Sequence, residues 1–279
     1  ISSGDHQRRN GVHGRIGRRE ISGRARHTLS LVNPFPPTSR ALREPNGLLA
    51  VGGDLQPETL ISAYAQGIFP WFNEGEDILW WSPDPRLVLR TAEVHISRSM
   101  RKALKTSDWT LSYDDDFDAV IHHCAHVDRG GREAGTWITE AMQDAYLRLH
   151  ELGLAHSVEV REDGHLVGGL YGVLLGNMFF GESMFSLQAN ASKVAFIALS
   201  RACQNSDIEL IDCQVENPHL LSLGADLMSR EDFENHVRDA IKVDMRSLLS
   251  KPLCMVPKPP LPLAMRLASD LPMSMGDLL

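Results

Sequence analysis

The chain has 279 residues, 43% hydrophobic and 23% charged, the composition of an ordinary globular protein with room for one or two sizeable cores. A formal net charge of -8 argues against bulk attraction to nucleic acid, so any RNA contact has to be local, and no apolar run approaches the ~20 residues that span a bilayer. The four cysteines, Cys124, Cys203, Cys213 and Cys254, are scattered and form no CxxC pair, which points away from a disulfide framework or structural zinc and toward a reducing cytoplasm.

Residues 1–30 carry Arg8, Arg9, Arg15, Arg18, Arg19, Arg24 and Arg26 and few apolar side chains, a composition that predicts disorder. The first residue is Ile1, so an over-extended gene start or a fragment is expected ahead of an organelle transit peptide. Residues 31–90 read as a small N-terminal domain, loop-rich and aromatic. Phe69-Pro70-Trp71-Phe72 and Trp80-Trp81-Ser82-Pro83 set prolines beside aromatics, as in a rigid surface or cleft wall.

A larger domain is predicted over residues 91–249. Arg98, Arg101, Lys102 and Lys105 recur at helical spacing, either as a solvated face or as a local seat for RNA phosphates. The run Tyr113-Asp114-Asp115-Asp116 reads as a solvated cap for a helix bearing His122, His123, Cys124 and His126. His122 and His126 share a face as metal ligands do, but the HExxH glutamate and a distant fourth ligand are missing, so a packed or solvated helix is expected over a metal site.

Residues 139–151 have helical periodicity, with Thr139 as cap and Gly153 as stop. Three strands follow, at 157–160, 165–173 and 178–185, with turns at Asp163-Gly164 and Gly176-Asn177 that predict an antiparallel meander. The glycines of GGLYGVLLG lie within this hairpin and suit bulges or close backbone approach better than a nucleotide loop. Within the third strand, Glu182 sits among apolar residues, so burial would demand a partner or a shifted pKa.

A helix over 189–203, a strand over 209–215 and a capped helix from Ser229 complete an α+β order like the second half of acetyltransferase-like folds, with a mixed, mostly antiparallel sheet. Alternation in Leu210-Ile211-Asp212-Cys213-Gln214-Val215 places Asp212 and Gln214 on one side and Cys213 on the apolar side. From spacing alone this is an edge strand with one wet face, and a nucleophilic cysteine is not expected. Residues 250–279 read as a proline-rich tail.

In sequence order, REPNGLLAVGGDL (43–55), GIFPWF (67–72), WWSPDPR (80–86), HISRSM (95–100), GTWIT (135–139), HELGLAHSVEV (150–160), GESMFS (181–186), NASK (190–193), LIDCQV (210–215) and SLGA (222–225) resemble the leucyl/phenylalanyl-tRNA–protein transferase family. The resemblance implies a tRNA-dependent aminoacyltransferase of two domains, without metal or organic cofactor. Its donors would be leucyl- and phenylalanyl-tRNA, and its acceptors proteins with N-terminal Arg or Lys, marked for degradation in the bacterial cytoplasm. Carried over by motif, Asp212 and Gln214 would be the catalytic pair and Glu182 a substrate-binding carboxylate.

By the same carry-over, Trp71, Trp137 and Tyr64 would lie along the aminoacyl-adenosine site. Phe179, Met184, Ile211 and Leu170 would line the amino-acid pocket, and Arg98, Arg101, Lys102 and Lys105 would hold tRNA. A monomer is the simplest expectation. The sequence departs from the family at Phe180, Leu199 and Cys203, which bears on donor preference, and at Thr106, where a basic residue is expected. Two rivals are a coenzyme A-dependent acetyltransferase, disfavoured because Leu187–Ser192 has no glycine for a pyrophosphate loop, and an RNA- or protein-binding module, which leaves Asp212, Gln214 and Glu182 without a purpose.

Overall fold

The computed structural model describes residues 34–126 and 138–241, together with Leu278. The arginine-rich N-terminal stretch, Trp137 and all of the proline-rich tail but Leu278 lie outside the described residues. The first elements are β1 (Leu48–Val51), α1 (Pro57–Tyr64), β2 (Phe69–Pro70) and β3 (Leu79–Trp81). Pro57 opens α1 where its fixed φ and missing N–H are harmless, and the three strands pair antiparallel in the order β1-β3-β2.

The chain continues through β4 (Arg86–Arg90), α2 (Arg98–Thr106), β5 (Thr110–Tyr113), α3 (Phe117–His126) and α4 (Glu140–Glu151). It then forms β6 (Ala155–Glu162), β7 (His165–Leu175), β8 (Met178–Ser186), α5 (Ala191–Asn205), β9 (Leu210–Gln214), α6 (Pro218–Leu221), β10 (Asp226–Met228) and α7 (Arg230–Ala240). Side-chain caps fix three starts as local chemistry requires: Ser97, Thr139 and Ser229 accept from the N–H groups of Met100, Met142 and Asp232.

The fold is α+β. Among the described residues, seven strands form one sheet in the order β10-β4-β9-β8-β7-β6-β5, antiparallel except for the parallel β8–β9 pair. Alternation along β4 sends Leu87 and Leu89 into a core shared with α2 and α5, and Val88 into a second core shared with α1, α3, α4 and α7. The meander appears as read from the turns, and the register shifts beside Gly172, where an added Cβ would stand 2.3 Å from the Phe180 carbonyl oxygen.

Two sequence expectations are corrected. β9 is no edge strand: β4 and β8 flank it, and all five of its residues are buried. Alternation is the same for a half-wet strand and for a buried strand whose polar groups are paired, so spacing could not separate the two. Nor is Asp114 a solvated cap. It accepts from the His156 ring at 2.7 Å and from the Ser157 N–H at 2.8 Å, while Asp116 takes the capping role toward Ala119.

Candidate active site

The site forms where two parallel strands part. β8 and β9 stay in register through Phe180 and Asp212, after which β8 runs on through Gly181 and Glu182 while the backbone of β9 turns left-handed at Gln214, with φ of 64°. A pocket of about 590 Å³ opens in that gap. Asp212, Gln214 and Glu182 all line it, so the three polar residues named from the sequence do converge.

Asp212 is fully buried and held by Arg86, itself 1% exposed. The guanidinium donates from Nε to Oδ1 at 2.8 Å and from Nη2 to Oδ2 at 2.6 Å, a bidentate fork across neighbouring strands. Its remaining nitrogen, Nη1, donates to the Gly67 carbonyl at 3.1 Å, and the rings of Phe69 and Phe233 stack on it at 4.7 and 4.6 Å. Asp212 Oδ1 also accepts the backbone N–H of Gln214 at 2.8 Å, which pins the left-handed turn that aims the Gln214 side chain.

The Gln214 amide donates to Glu182 Oε1 at 2.9 Å, so its carbonyl end is the acceptor that Glu182 leaves unused. Tyr64 donates to Glu182 Oε1 at 2.7 Å and Tyr146 to Oε2 at 2.8 Å, which brings the two phenol oxygens close to each other. Burial raises the Glu182 carboxyl most. The two tyrosine hydrogen bonds pull it back in part, the Asp212 charge adds to the rise, and the group ends near a pKa of about 8. Burial, and then the charge of Glu182, push both phenols well above their usual value, so they remain donors at neutral pH.

Apolar walls complete the pocket: Leu170, Met184, Phe196, Leu199 and Leu220, with Phe69, Pro70 and Trp71 at another side. Trp71 is 43% exposed and Val215 41%, and both line the pocket. Of the residues assigned by resemblance, Leu170, Met184 and Trp71 touch the cavity. Tyr64 is buried and reaches the site through Glu182. Phe179 and Ile211 are register partners buried in the core that also holds Leu170, Phe196 and Leu199, so they back the pocket wall and do not line it. Trp137 is outside the described residues.

Cys213 lines the pocket, yet burial drives its thiol far above the ordinary range, which suits an inert side chain. Arg98, Arg101, Lys102 and Lys105 are all exposed on α2. The rings of His122 and His126 stack on each other at 4.2 Å. Sequence reasoning missed Arg86 and Tyr146. Arg86 stood inside the quoted WWSPDPR segment, but its partner lies 126 residues away. Tyr146 looked like one more apolar position of a helix, and nothing local hinted at Glu182.

Known proteins are similar to this sequence. The family model described as leucyl/phenylalanyl-tRNA protein transferase matches residues 88–238, and the model for the N-terminal domain of that transferase matches residues 53–84. A leucyl/phenylalanyl-tRNA–protein transferase of Xanthomonas axonopodis pv. citri (strain 306) is 56% identical over 205 residues, covering 74% of this chain and 82% of the relative. One from Xylella fastidiosa (strain 9a5c) is 56% identical over 208 residues, covering 75% and 85%. Among solved structures, a GCN5-related N-acetyltransferase from Kribbella flavida is similar at 11% identity with a TM-score of 0.33, over 62% of this chain and 61% of that one. The two transferase relatives and the family models establish that the chain belongs to the leucyl/phenylalanyl-tRNA–protein transferase family.

Proposed function

We propose that this enzyme transfers leucine or phenylalanine from aminoacyl-tRNA to the α-amino group of proteins beginning with Arg or Lys, acting as a monomer in the cytoplasm and marking its targets for degradation. The observation that carries the reading is the meeting of Asp212, Gln214 and Glu182 at an apolar pocket in a chain of this family. The donor ester is already activated, so the enzyme chiefly has to hold an amine against its carbonyl carbon, and orientation alone supplies several kcal/mol. The acceptor's basic N-terminal residue is carried over from the family resemblance.

In this reading the apolar wall of Leu170, Met184, Phe196 and Leu199 takes the donor side chain. A wall of this kind separates side chains that differ by one methylene by only ~1–3 kcal/mol, which suits acceptance of both Leu and Phe. The Gln214 carbonyl accepts an N–H of the incoming amine and turns its lone pair on the ester. Asp212 acts one step removed, by fixing the turn at Gln214. As the C–N bond forms and the ester C–O bond breaks, the amine gives up a proton and the 3′ oxygen gains one.

A free α-amine has a pKa near ~8, so about a tenth is neutral at pH 7, a deficit of about 1.4 kcal/mol. Glu182, at about 8, matches the amine it would trade protons with. Arg98, Arg101, Lys102 and Lys105 would steer the tRNA, and Trp71 would stack on its terminal base.

The test is transfer of radiolabelled leucine from charged tRNA to a peptide with N-terminal Arg, comparing wild type with Gln214→Ala and Asp212→Asn. Incorporation by wild type and its loss in Gln214→Ala are expected. Folded wild type that incorporates no label overturns the proposal, and normal turnover in Asp212→Asn removes Asp212 from it.

A further inference from the structure

We infer that His219 is a donor-binding residue whose Nε2 takes the free ribose hydroxyl beside the aminoacyl ester of the terminal nucleotide. The inference rests on the transferase reading above. Most polar groups around the pocket already have partners. Asp212, Glu182 and Gln214 are bonded to Arg86, to the two tyrosines and to one another. Ser192 Oγ accepts from Ser186 Oγ at 2.8 Å, Asn217 Oδ1 accepts the His219 N–H at 2.8 Å, and Ser183 is engaged as well.

His219 differs from these. It lines the pocket, and its Nε2 is buried without a hydrogen-bond partner among the described residues. A buried polar atom left in that state is costly unless water or a ligand group meets it, and at a pocket wall a bound ligand takes the place of water. The backbone that carries the ring is also well anchored, because α6 starts at Pro218, the Asn217 side chain caps it, and Ser222 Oγ donates to the His219 carbonyl at 2.6 Å.

The pocket's layout says which ligand group arrives there. With the ester at Gln214 and the amino-acid side chain against Leu170 and Met184, the sugar has to leave past the residues after β9, where Val215, Asn217 and His219 line the way out. Burial first, and then the charge of Lys193, lower the proton affinity of His219. A neutral imidazole pairs well with a hydroxyl, as donor or acceptor, and lacks the charge that a phosphate oxygen would favour.

A two-by-two experiment tests this. Leucyl-tRNA ending in adenosine, or in 2′-deoxyadenosine charged on its 3′ oxygen, is offered to wild type and to His219→Ala, with thermal unfolding checked for each variant. In wild type, kcat/KM is expected to fall about fivefold on removal of the 2′ hydroxyl, the loss of one neutral hydrogen bond. His219→Ala is expected to be slower by a similar factor with adenosine and indifferent to the 2′-deoxy change, while His219→Gln recovers part of the discrimination.

Losses that multiply in the doubly altered case, or a wild type indifferent to the hydroxyl, overturn the inference. Either result, obtained with active wild type, leaves the transferase reading standing; wild type inert with both donors overturns that reading first.

Discussion

Arg86 and Asp212 are both sealed from solvent, and their bidentate pairing matters mainly through what its removal would leave behind. Replacing Asp212 with alanine buries a guanidinium that has no carboxylate and keeps only the Gly67 carbonyl and two aromatic faces. Breaking such a pair costs about 3–5 kcal/mol. Asp212→Ala is therefore expected to unfold at far lower temperature or denaturant, and its inactivity would say nothing about catalysis. Gln214 sits beside the charge pair and carries no charge, so Gln214→Ala is expected to lose only about 1 kcal/mol of stability while kcat falls by about 10²-fold. Urea unfolding paired with single-turnover transfer separates the two. An Asp212→Ala variant as stable as wild type would show that the Arg86 pair does not anchor the site.

At the scale of elements, α2 carries its positive charge on one face. Met100 and Leu104 bury it against the sheet, Ser97 caps it, and Arg98, Arg101, Lys102 and Lys105 project outward with no ion pair to an acid among the described residues. Replacing all four with alanine is expected to raise KM for tRNA and leave kcat nearly unchanged. It should also flatten the dependence of log K on log salt by about 0.7–0.9 for each phosphate that the helix no longer neutralises. An unchanged salt slope would move the tRNA path elsewhere.

Elements of this kind were legible in the sequence because their signals are local: the caps Thr139 and Ser229 and the turns at Gly164 and Gly176 that separate the strands of the meander. β9 was not, since a strand records which residues share a face and not whether a neighbour covers it. The motif singles out Asp212 and Gln214, and both line the pocket, but the turn at Gln214 that joins them to Glu182 depends on Arg86, supplied by a strand far away in sequence. Tyr146 is hidden for the same reason, since its partner is a carboxylate on another element.

The whole molecule bears a cost for holding Glu182 where it is, and pH makes that cost measurable. In the unfolded chain this carboxyl gives up its proton near 4.5, whereas in the fold it keeps it to about 8. Between those values the folded state binds the extra proton, so stability is highest below the unfolded value and is lost as pH rises through the window. Burial pushes Glu159 in the same direction.

Asp114 behaves oppositely: burial pushes it up, but the hydrogen bond and charge of His156 and the Ser157 N–H outweigh that, so its contribution disappears only in acid. The melting temperature is therefore expected to fall as pH rises through the window between the two Glu182 values, from about 4.5 to about 8. Glu182→Gln keeps the shape and an acceptor for the tyrosines but has no proton to lose, so its fall should be shallower and its stability should overtake wild type at the alkaline end. Parallel curves for the two proteins would mean that Glu182 ionises as an ordinary surface carboxylate, and the matched proton exchange with the acceptor amine would go with it.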